Sequence, residues 1–505
     1  MEWTEIAAAR RRLAREQGAV VKDWGGRLPV ALVYPNAYNV GMSGLGFQTV
    51  YGQLNAFPSV VCERAFAEPV PGRRQPITIE TQRPLSDFAA LAFSVTYELD
   101  YWNVVALLRS AGLPPLAADR DDRHPLLIAG GPALTGNPEP LAEILDAIVI
   151  GEAEPVLPGL ATTVQQGIGG EREVLLRSLA ALPGVYVPRF PGRVSPQYAP
   201  AVDEFATTSV VLTRETEFGD MFLVEVARGC GRGCRFCLAR QIAGPVRRRS
   251  VDRLLAQARQ GLGYRRKIGL VGAAASDYPA MAELVAGLRG MGARIGVSSL
   301  RADSVTADLL RALVESGTRT VTLAPEAGSQ HLRRRIGKGL TEADLRRAAE
   351  LCRQERVPEL KLYFMVGLPG ESDSDVLAIA ALSQAMAGWS GSKVTVSVAP
   401  FVPKARTAFQ GQAMLDTQTL RRRLNALRSA CRAAGLGFKA ESVEWSAVQG
   451  VLARGDRRLT GVLLGMGENT LAEWDRAMSA AGLRAADYLR QRERSAPLPW
   501  AHIQD

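Results

Sequence analysis

The chain has 505 residues, of which 47% are hydrophobic and 22% charged, and its formal net charge is +10. This length predicts two or three globular domains, and six cysteines are too few for a disulfide framework. No apolar run approaches the ~18 residues of a membrane span, and the first five residues lack the basic-then-apolar order of a secretion signal. We therefore expect a cytoplasmic protein in a reducing compartment, with no membrane partner.

The first half of the chain alternates apolar strands with helices. Residues 1–27 are predicted to form a helical lead-in, and residues 28–170 an α/β domain. Strands that are apolar on both faces, separated by helices, predict a doubly wound parallel sheet. The predicted strands are 28–34, 60–66, 77–80, 88–95, 125–129 and 147–150, and the predicted helices include 47–56 and 99–111.

The loops at the strand ends of this sheet are rich in glycine and small polar residues. Such edges bind ligands in open α/β sheets, and glycine lets a bulky ligand approach the backbone. Neither a dinucleotide fingerprint nor a Gly-Lys-Ser phosphate loop is present, and ordinary turn glycines are the alternative interpretation. The candidate ligand-binding residues are Asn39, Gly41, Ser94, Thr96, Gly130, Gly131 and Glu152.

The second half of the chain shows regular strand–helix units. Residues 171–215, polar and rich in proline, are predicted to be a linker. Residues 216–416 fit a partial (βα)6 barrel of the TIM type, with its chemistry at the strand C-terminal ends, and residues 417–505 form a mainly helical region with one strand at 438–443. The predicted barrel strands are 222–227, 267–271, 294–298, 320–323, 360–366 and 393–398.

Three cysteines follow the first of these strands. One glycine-rich loop contains Cys230, Cys234 and Cys237, so their thiols can coordinate one metal centre. A structural zinc site usually closes with four protein ligands, whereas an iron–sulfur cube held by three thiolates keeps one iron open. A zinc knuckle or a chance cluster of thiols remains the alternative, although the chain has only three histidines.

The spacing Cys-x3-Cys-x2-Cys, with Phe236 before the last cysteine, resembles the signature of the radical S-adenosylmethionine (SAM) superfamily. The resemblance implies a 4Fe–4S cluster on the three cysteines and SAM on the open iron, where reductive cleavage yields a 5′-deoxyadenosyl radical. It also implies a reductant such as flavodoxin or ferredoxin as a partner.

Polar residues that follow the predicted barrel strands are candidates for binding SAM. Glu326 suits the ribose hydroxyls or the ammonium group, and Arg301 suits the carboxylate as a fork. For both residues, an ion pair that closes the end of the barrel is the alternative. Residues 332–338 are predicted to be a solvated helical face that suits an anionic substrate or partner. The residues assigned to SAM are Phe236, Gly272, Ser276, Asp277, Ser299, Arg301, Glu326 and Gly367.

A further resemblance covers nearly the whole chain. Residues 36–46, 94–99 and 128–132 look like a largely uncharacterised subfamily of the radical SAM proteins that contain a cobalamin-binding domain. This resemblance implies cobalamin at the strand-end loops and makes methyl transfer the leading expected reaction, on a substrate such as RNA or protein. The Asp-x-His-x-x-Gly motif of many cobalamin domains is absent, so no histidine from that motif ligates cobalt. The alternatives are cobalamin-free modification of RNA or a ribosome-linked protein, and a non-catalytic iron–sulfur or zinc interaction module.

Overall fold

The computed structural model describes residues 3–67, 75–190, 192–493 and 495–504. Residues 1 and 2 of the predicted lead-in and Pro191 of the predicted linker lie outside the described residues. Within the described ranges, no helix is both long enough and apolar enough to cross a membrane.

The first half of the chain contains six strands and seven α-helices among the described residues. They are α1 (Trp3–Leu13), β1 (Leu28–Tyr34), α2 (Tyr38–Ser43), α3 (Leu45–Ala56), β2 (Val60–Phe66), β3 (Ala90–Ser94), α4 (Tyr101–Ser110), β4 (Leu126–Gly130), α5 (Pro132–Gly136), β5 (Ala147–Val149), α6 (Leu157–Gly167), α7 (Arg172–Ala180) and β6 (Val185–Tyr186).

These six strands form one sheet in the order β2-β1-β3-β4-β5-β6. Every pairing is parallel except the one between β5 and β6. The predicted doubly wound parallel sheet is therefore confirmed. The predicted strand at 77–80 is wrong, because Ile77 makes only an isolated bridge to Pro84 and the segment joins no sheet.

The second half contains nine strands and twelve α-helices among the described residues. They are β7 (Phe222–Glu225), β8 (Ala227–Arg228), α8 (Leu238–Ile242), β9 (Arg247–Arg248), α9 (Val251–Leu262), β10 (Lys267–Val271), α10 (Met281–Gly290), β11 (Arg294–Val297), α11 (Ala307–Glu315), β12 (Thr320–Glu326), α12 (Gln330–Arg335), α13 (Glu342–Gln354), β13 (Glu359–Val366), α14 (Asp373–Ser390), β14 (Lys393–Pro400), α15 (Thr417–Ala433), β15 (Gly437–Ala440), α16 (Val443–Ala453), α17 (Arg458–Gly465), α18 (Leu471–Ala480) and α19 (Ala485–Leu489).

Short 3-10 turns connect several of these elements. They span Leu85–Asp87, Glu98–Asp100, Ala117–Asp119, Glu139–Leu141, Val202–Glu204, Ala275–Asp277 and Ala302–Ser304.

The strand–helix region contains two parallel sheets and the antiparallel pair of β8 and β9. One has the order β11-β10-β7 and the other β12-β13-β14-β15, and a parallel bridge between Leu300 and Leu323 links them. All six predicted strands are present. The predicted strand at 438–443 is a strand only over 438–440, where β15 pairs parallel to β14, and α16 already begins at Val443. Capping boxes fix the starts of two covering helices, with Thr341 and Asp344 at α13 and Ser372 and Asp375 at α14.

The C-terminal helices belong to the core of the N-terminal sheet. Leu127 and Ile148 of that sheet share one hydrophobic cluster with Val462 of α17 and Trp474 of α18. The guanidinium of Arg109 on α4 also donates a hydrogen bond to the carbonyl of Met466, at 2.8 Å. One face of the sheet is thus covered by a segment more than 300 residues away in sequence, and the two halves of the chain are packed together.

Candidate active site

The three cysteines follow β8, at the C-terminal edge of the strand–helix region. Gly229 precedes them with φ +74°, and a Cβ there would lie 2.8 Å from the carbonyl oxygen of Pro245. Only glycine therefore fits the turn into the loop. Cys230, Cys234 and Cys237 are all half-buried, and α8 begins directly after Cys237.

The cysteine loop is fixed by contacts with two distant segments. The N–H of Arg235 donates to the carbonyl of Ile336 at 2.9 Å, and the N–H of Phe409 donates to the carbonyl of Arg235 at 3.2 Å. Gly337 has φ +73°, and a Cβ at this position would collide with the carbonyl of Gly233. The conformation of the loop thus depends on a second glycine, which follows Gly233 by 104 residues in the sequence.

The thiols interact electrostatically with one another and with nearby cations. Burial raises the pKa of Cys234, while the charges of Lys338 and Arg301 act in the opposite direction. Burial also raises the pKa of Cys237, which accepts hydrogen bonds from backbone N–H groups of α8 and interacts with Cys230. Among the described residues, no three His, Cys, Asp or Glu side chains have the spacing of a metal-ion site. The three half-buried thiols on one loop match the donors of an iron–sulfur cluster with three thiolate ligands in number and type, and their role as ligands stays a prediction.

Arg301 and Asp277, two of the residues predicted to bind SAM, lie in a chain of ion pairs. Arg232 of the cysteine loop pairs with Asp277 at 2.7 Å and with Asp303 at 3.0 Å. Arg301 pairs with Asp303 at 3.0 Å, and its guanidinium also donates to the carbonyl of Lys338 at 3.0 Å. The fork of Arg301 is therefore occupied in the way that the alternative interpretation expected, and the role of Arg301 toward SAM stays a prediction.

Three small residues of the candidate set lie along the same edge. The buried hydroxyl of Ser276 accepts a hydrogen bond from the N–H of Arg301 at 3.1 Å, so it positions the loop after β11. A Cβ at Gly272 would lie 3.3 Å from the carbonyl oxygen of Ala227, so the backbones are close there. Ser299 is exposed.

Glu326 ends β12 in a strained backbone conformation. Its φ is +70°, which is rare for a residue with a side chain, and it follows an irregularity in the pairing of β12 with β13. Such strain is typical of functional sites. The carboxylate pairs with the ammonium of Lys338 at 3.0 Å, and Lys338 is buried.

Lys338 was missed by the sequence reasoning, which placed residues 332–338 on a solvated helical face. That prediction is wrong for Arg333 and Lys338, which are both buried, whereas Arg334 and Arg335 of α12 are exposed as expected. The guanidinium of Arg333 donates to three backbone carbonyls, those of Leu340, Ala327 and Gly328. The glycines on either side of Lys338 were the available signal, since they mark a turn rather than a helix.

The remaining two candidates lie near β13. Gly367, with φ +93°, donates its N–H to the carboxylate of Glu371 at 2.6 Å. Burial raises the pKa of Glu371 to about 7. Phe236 packs beside the small apolar cluster formed by Leu332, Ile336 and neighbouring residues, so its contacts are those of a packing residue.

The N-terminal sheet contains a cavity of about 390 Å³ at the face covered by α3 and α6. Its walls are mainly apolar, with Val30 and Leu32 of β1 opposite Leu160 of α6. Five of the seven residues predicted to bind a ligand here line it, namely Ser94, Thr96, Gly130, Gly131 and Glu152.

The other two candidates of this group do not line the cavity. Asn39 donates its side-chain N–H to the carboxylate of Glu217 at 2.9 Å on an exposed surface. Gly41 is buried, and a Cβ there would lie 2.6 Å from the ring of Phe66. Packing against Phe66 therefore explains why position 41 is a glycine.

A network of ion pairs closes the cavity toward the cysteine loop. Arg228 pairs with Glu152 at 3.2 Å, with Glu154 at 2.6 Å and with Glu225 at 2.9 Å. Glu152 also pairs with Arg247 at 2.7 Å, and although burial acts to raise its pKa, these cations lower it. Because Arg228 is two residues before Cys230, the network joins the two candidate sites.

Comparisons with known proteins match both halves of the chain. The family model described as radical SAM proteins, N-terminal, matches residues 46–188, and that of the radical SAM superfamily matches residues 224–382. The uncharacterized protein MJ0966 of Methanocaldococcus jannaschii is 31% identical over 441 residues, which are 86% of this chain and 90% of that protein.

Two further matches are partial. The tRNA-2-methylthio-N(6)-dimethylallyladenosine synthase of Methylococcus capsulatus is 28% identical over 51% of this chain and 58% of that enzyme. The cobalamin-dependent SAM radical enzyme OxsB, solved with aqua-cobalamin bound, aligns with a TM-score of 0.48 and 16% identity over 71% of this chain and 52% of OxsB. The chain thus spans little more than half the length of these two enzymes. From the two family matches and the alignment with MJ0966 over most of both chains, we conclude that the protein belongs to the radical SAM superfamily.

Proposed function

We propose that the protein is a radical SAM enzyme in which Cys230, Cys234 and Cys237 hold a 4Fe–4S cluster and SAM occupies the open iron. The observation that carries this proposal is the loop of three half-buried thiols, fixed from both sides by backbone hydrogen bonds. When bound, the cluster supplies the electron that cleaves SAM to methionine and a 5′-deoxyadenosyl radical. Flavodoxin or ferredoxin is the proposed source of that electron.

The chain's own residues would bind and orient SAM. Glu326 offers carboxylate oxygens to the ribose hydroxyls or to the ammonium group, and Lys338 holds that carboxylate in place at 3.0 Å. Positive φ at Glu326 directs the backbone away from the regular strand, beside the cysteine loop. The backbone of Gly367, which follows β13, would border the adenine ring.

We further propose that cobalamin binds at the strand-end loops of the N-terminal sheet with one part of the molecule in this cavity, and that methyl transfer is the leading reaction. The support is a mainly apolar cavity of about 390 Å³. At its mouth, Ser94 and Thr96 offer hydroxyl groups for hydrogen bonds, and Gly130 lets a ligand approach the backbone. At Gly131 a Cβ would collide with the carbonyl of Val95, so close packing within the chain, as at Gly41, already requires glycine there. When bound, cobalamin supplies a transferable methyl group.

Cobalamin-free modification of RNA is the second candidate. The net charge of +10 and the partial match to a tRNA-modifying synthase favour it. A non-catalytic iron–sulfur module is the remaining alternative.

Release of 5′-deoxyadenosine from SAM separates the enzyme from the module. We expect release under anaerobic conditions with dithionite in the wild type, and none after Cys→Ala at positions 230, 234 and 237. Cys352→Ala is the matched control, because Cys352 is buried in the core away from the loop and its loss should leave release intact. No release from wild-type protein with an intact cluster would contradict the proposal. Cobalt that stays with the protein through gel filtration would favour the cobalamin reaction over the cobalamin-free one.

A further inference from the structure

One face of the second parallel sheet is polar and uncovered. Leu360, Leu362 and Phe364 of β13 point into the hydrophobic core under the covering helices. Successive strand residues point to opposite faces, so Lys361 and Tyr363 point to the other side. Tyr363 is 37% exposed there, which means that the described residues leave this face open.

The strand register aligns polar side chains across this face. Thr322 of β12, Lys361 of β13 and Thr395 of β14 are paired in one row. Tyr363, Ser397 and Lys439 of β15 are paired in the next row toward the strand ends. We call these six residues the polar wall: Thr322, Lys361, Tyr363, Thr395, Ser397 and Lys439.

The other sheet of the strand–helix region has no such wall. The corresponding position of β10 is Gly269, where a Cβ would lie 2.6 Å from the side chain of Leu223. Barrel interiors of this general type are filled by branched apolar side chains. Hydroxyl, phenol and ammonium groups on an open face instead suit a polar ligand.

The lysines of the polar wall differ from Lys338 and Lys404, which lie near the two candidate sites. The ammonium of Lys338 pairs with Glu326 at 3.0 Å, and that of Lys404 pairs with Glu98 at 2.6 Å. Among the described residues, no carboxylate forms an ion pair with Lys361 or Lys439. The ammonium of Lys361 lies 4.8 Å from the centre of the Tyr363 ring. The wall therefore offers two unneutralised charges beside one accessible aromatic ring.

The polar wall leads to the proposed SAM site. Glu326 ends β12, the same strand that carries Thr322. Met365, two residues after Tyr363, packs against the apolar cluster that also contacts Phe236 of the cysteine loop. A ligand on the wall would thus extend toward the cysteine loop.

We propose that the polar wall binds the substrate and that this substrate is a nucleotide, either free or within RNA. Lys361 and Lys439 would bind the phosphate, and Tyr363 would stack on the base. The hydroxyl groups of Thr322, Thr395 and Ser397 would form hydrogen bonds with the nucleotide. The proposal rests on the proposed function, because it assigns the substrate class of the same enzyme.

The binding of three probes to the anaerobically reconstituted protein tests whether the charges of Lys361 and Lys439 bind phosphate. The probes are pyrophosphate, AMP and fluorescein-labelled oligouridine, titrated at two salt concentrations. We expect the double variant Lys361→Gln/Lys439→Gln to bind each probe about tenfold more weakly, with a shallower dependence on salt. The matched control Arg259→Gln/Arg432→Gln removes the same charge from exposed helix surfaces and should bind within about twofold of wild type. Equal affinity of the two double variants, or no binding to wild type, would overturn the proposal.

Two variants of Tyr363 test whether its ring stacks on the base. Tyr363→Leu should weaken AMP and oligouridine by about tenfold and leave pyrophosphate unchanged, whereas Tyr363→Phe should retain all three affinities. Equal losses for pyrophosphate and AMP would contradict stacking. Strong binding of AMP indicates a free nucleotide as substrate, and binding of oligouridine alone indicates RNA.

The binding measurements are independent of the cluster. The variant with all three loop cysteines replaced by alanine should still bind the probes, since the wall lies on β12–β15. Release of 5′-deoxyadenosine without probe binding would refute the nucleotide and leave the proposed function intact. Probe binding without release of 5′-deoxyadenosine would refute the proposed function and leave nucleotide binding at the polar wall intact.

Discussion

The C-terminal edges of the N-terminal sheet and of the strand–helix region have the same parallel topology but different contents. The first edge has a mainly apolar cavity of about 390 Å³, with neutral Ser, Thr and Gly residues and an ion-pair network at its mouth. The second has three thiols and a chain of ion pairs that runs from Arg232 through Asp303 to Arg301. A parallel sheet places loops at one edge, and the side chains of those loops then decide whether a large neutral ligand or a small charged one fits. The comparison predicts that each edge can be disabled without the other.

Breaking the packing of the cysteine loop should have the largest effect. In Gly337→Ala the new Cβ meets the carbonyl of Gly233, and the positive φ adds strain, so we expect loss of most cluster iron and about 2 kcal/mol of stability. Gly339→Ala is the matched control, because Gly339 also has positive φ but nothing lies within 4 Å of its Cβ position. Iron content and thermal melting measure both variants. Equal iron content in the two would show that the contact with Gly233 is unimportant.

Filling the cavity should disable the other edge. Ala92 lines the cavity from β3, so Ala92→Leu should reduce the cobalt retained after gel filtration by about tenfold and leave cluster iron unchanged. Ala92→Ser adds almost no volume and should retain cobalt. If the leucine variant retains as much cobalt as wild type, cobalamin does not occupy this cavity.

Removing Lys338 should weaken the charged edge. Lys338→Met leaves the Glu326 carboxylate without its partner, at a cost of about 1–3 kcal/mol, and should slow release of 5′-deoxyadenosine about tenfold. Lys393→Met, at an exposed position, should change neither the stability nor the rate. A normal rate with Lys338→Met would remove Glu326 and Lys338 from SAM binding.

A smaller effect is expected from Asp100, a buried carboxyl beside the first edge. Burial raises its pKa from 3.8 to about 6, and the nearby Glu98 acts in the same direction. Because the pKa of Asp100 is higher in the folded state than in the unfolded state, the free energy of unfolding is highest below the ordinary pKa of 3.8. It falls as the pH rises toward 6. We expect Asp100→Asn to abolish this loss, so that thermal unfolding shows an advantage of the variant of up to about 2 kcal/mol above pH 7 and little below pH 4. A constant difference between variant and wild type across this pH range would contradict the assignment.

Local patterns predicted the strands and the cysteine loop. Apolar runs such as 28–34 and 360–366 mark strands because buried parallel strands need apolar side chains on both faces. Strand ends then follow from topology, which explains why Ser94, Gly130 and Glu152 were found together. The sequence pattern also identified Arg301 and Glu326 themselves, with an ion pair as the alternative role of each, but not the partner Lys338.

Partners that are distant in sequence were not predictable in this way. The burial of Lys338 depends on Glu326, whose positive φ no local pattern indicates. The C-terminal helices pack against the first sheet through residues such as Trp474, and amphipathicity gives no indication of which sheet they cover. A Cβ at either Gly41 or Gly131 would collide with atoms of the chain itself, yet only Gly131 also lines the cavity.

Iron and sulfide analysis of the anaerobically reconstituted protein, together with its electron paramagnetic resonance spectrum after reduction, tests the central claim most directly. We predict about four irons and four sulfides per chain, both lost when Cys230, Cys234 and Cys237 are replaced by alanine. Stoichiometric zinc bound with a fourth protein ligand, or iron retained at wild-type levels by the triple variant, would contradict it.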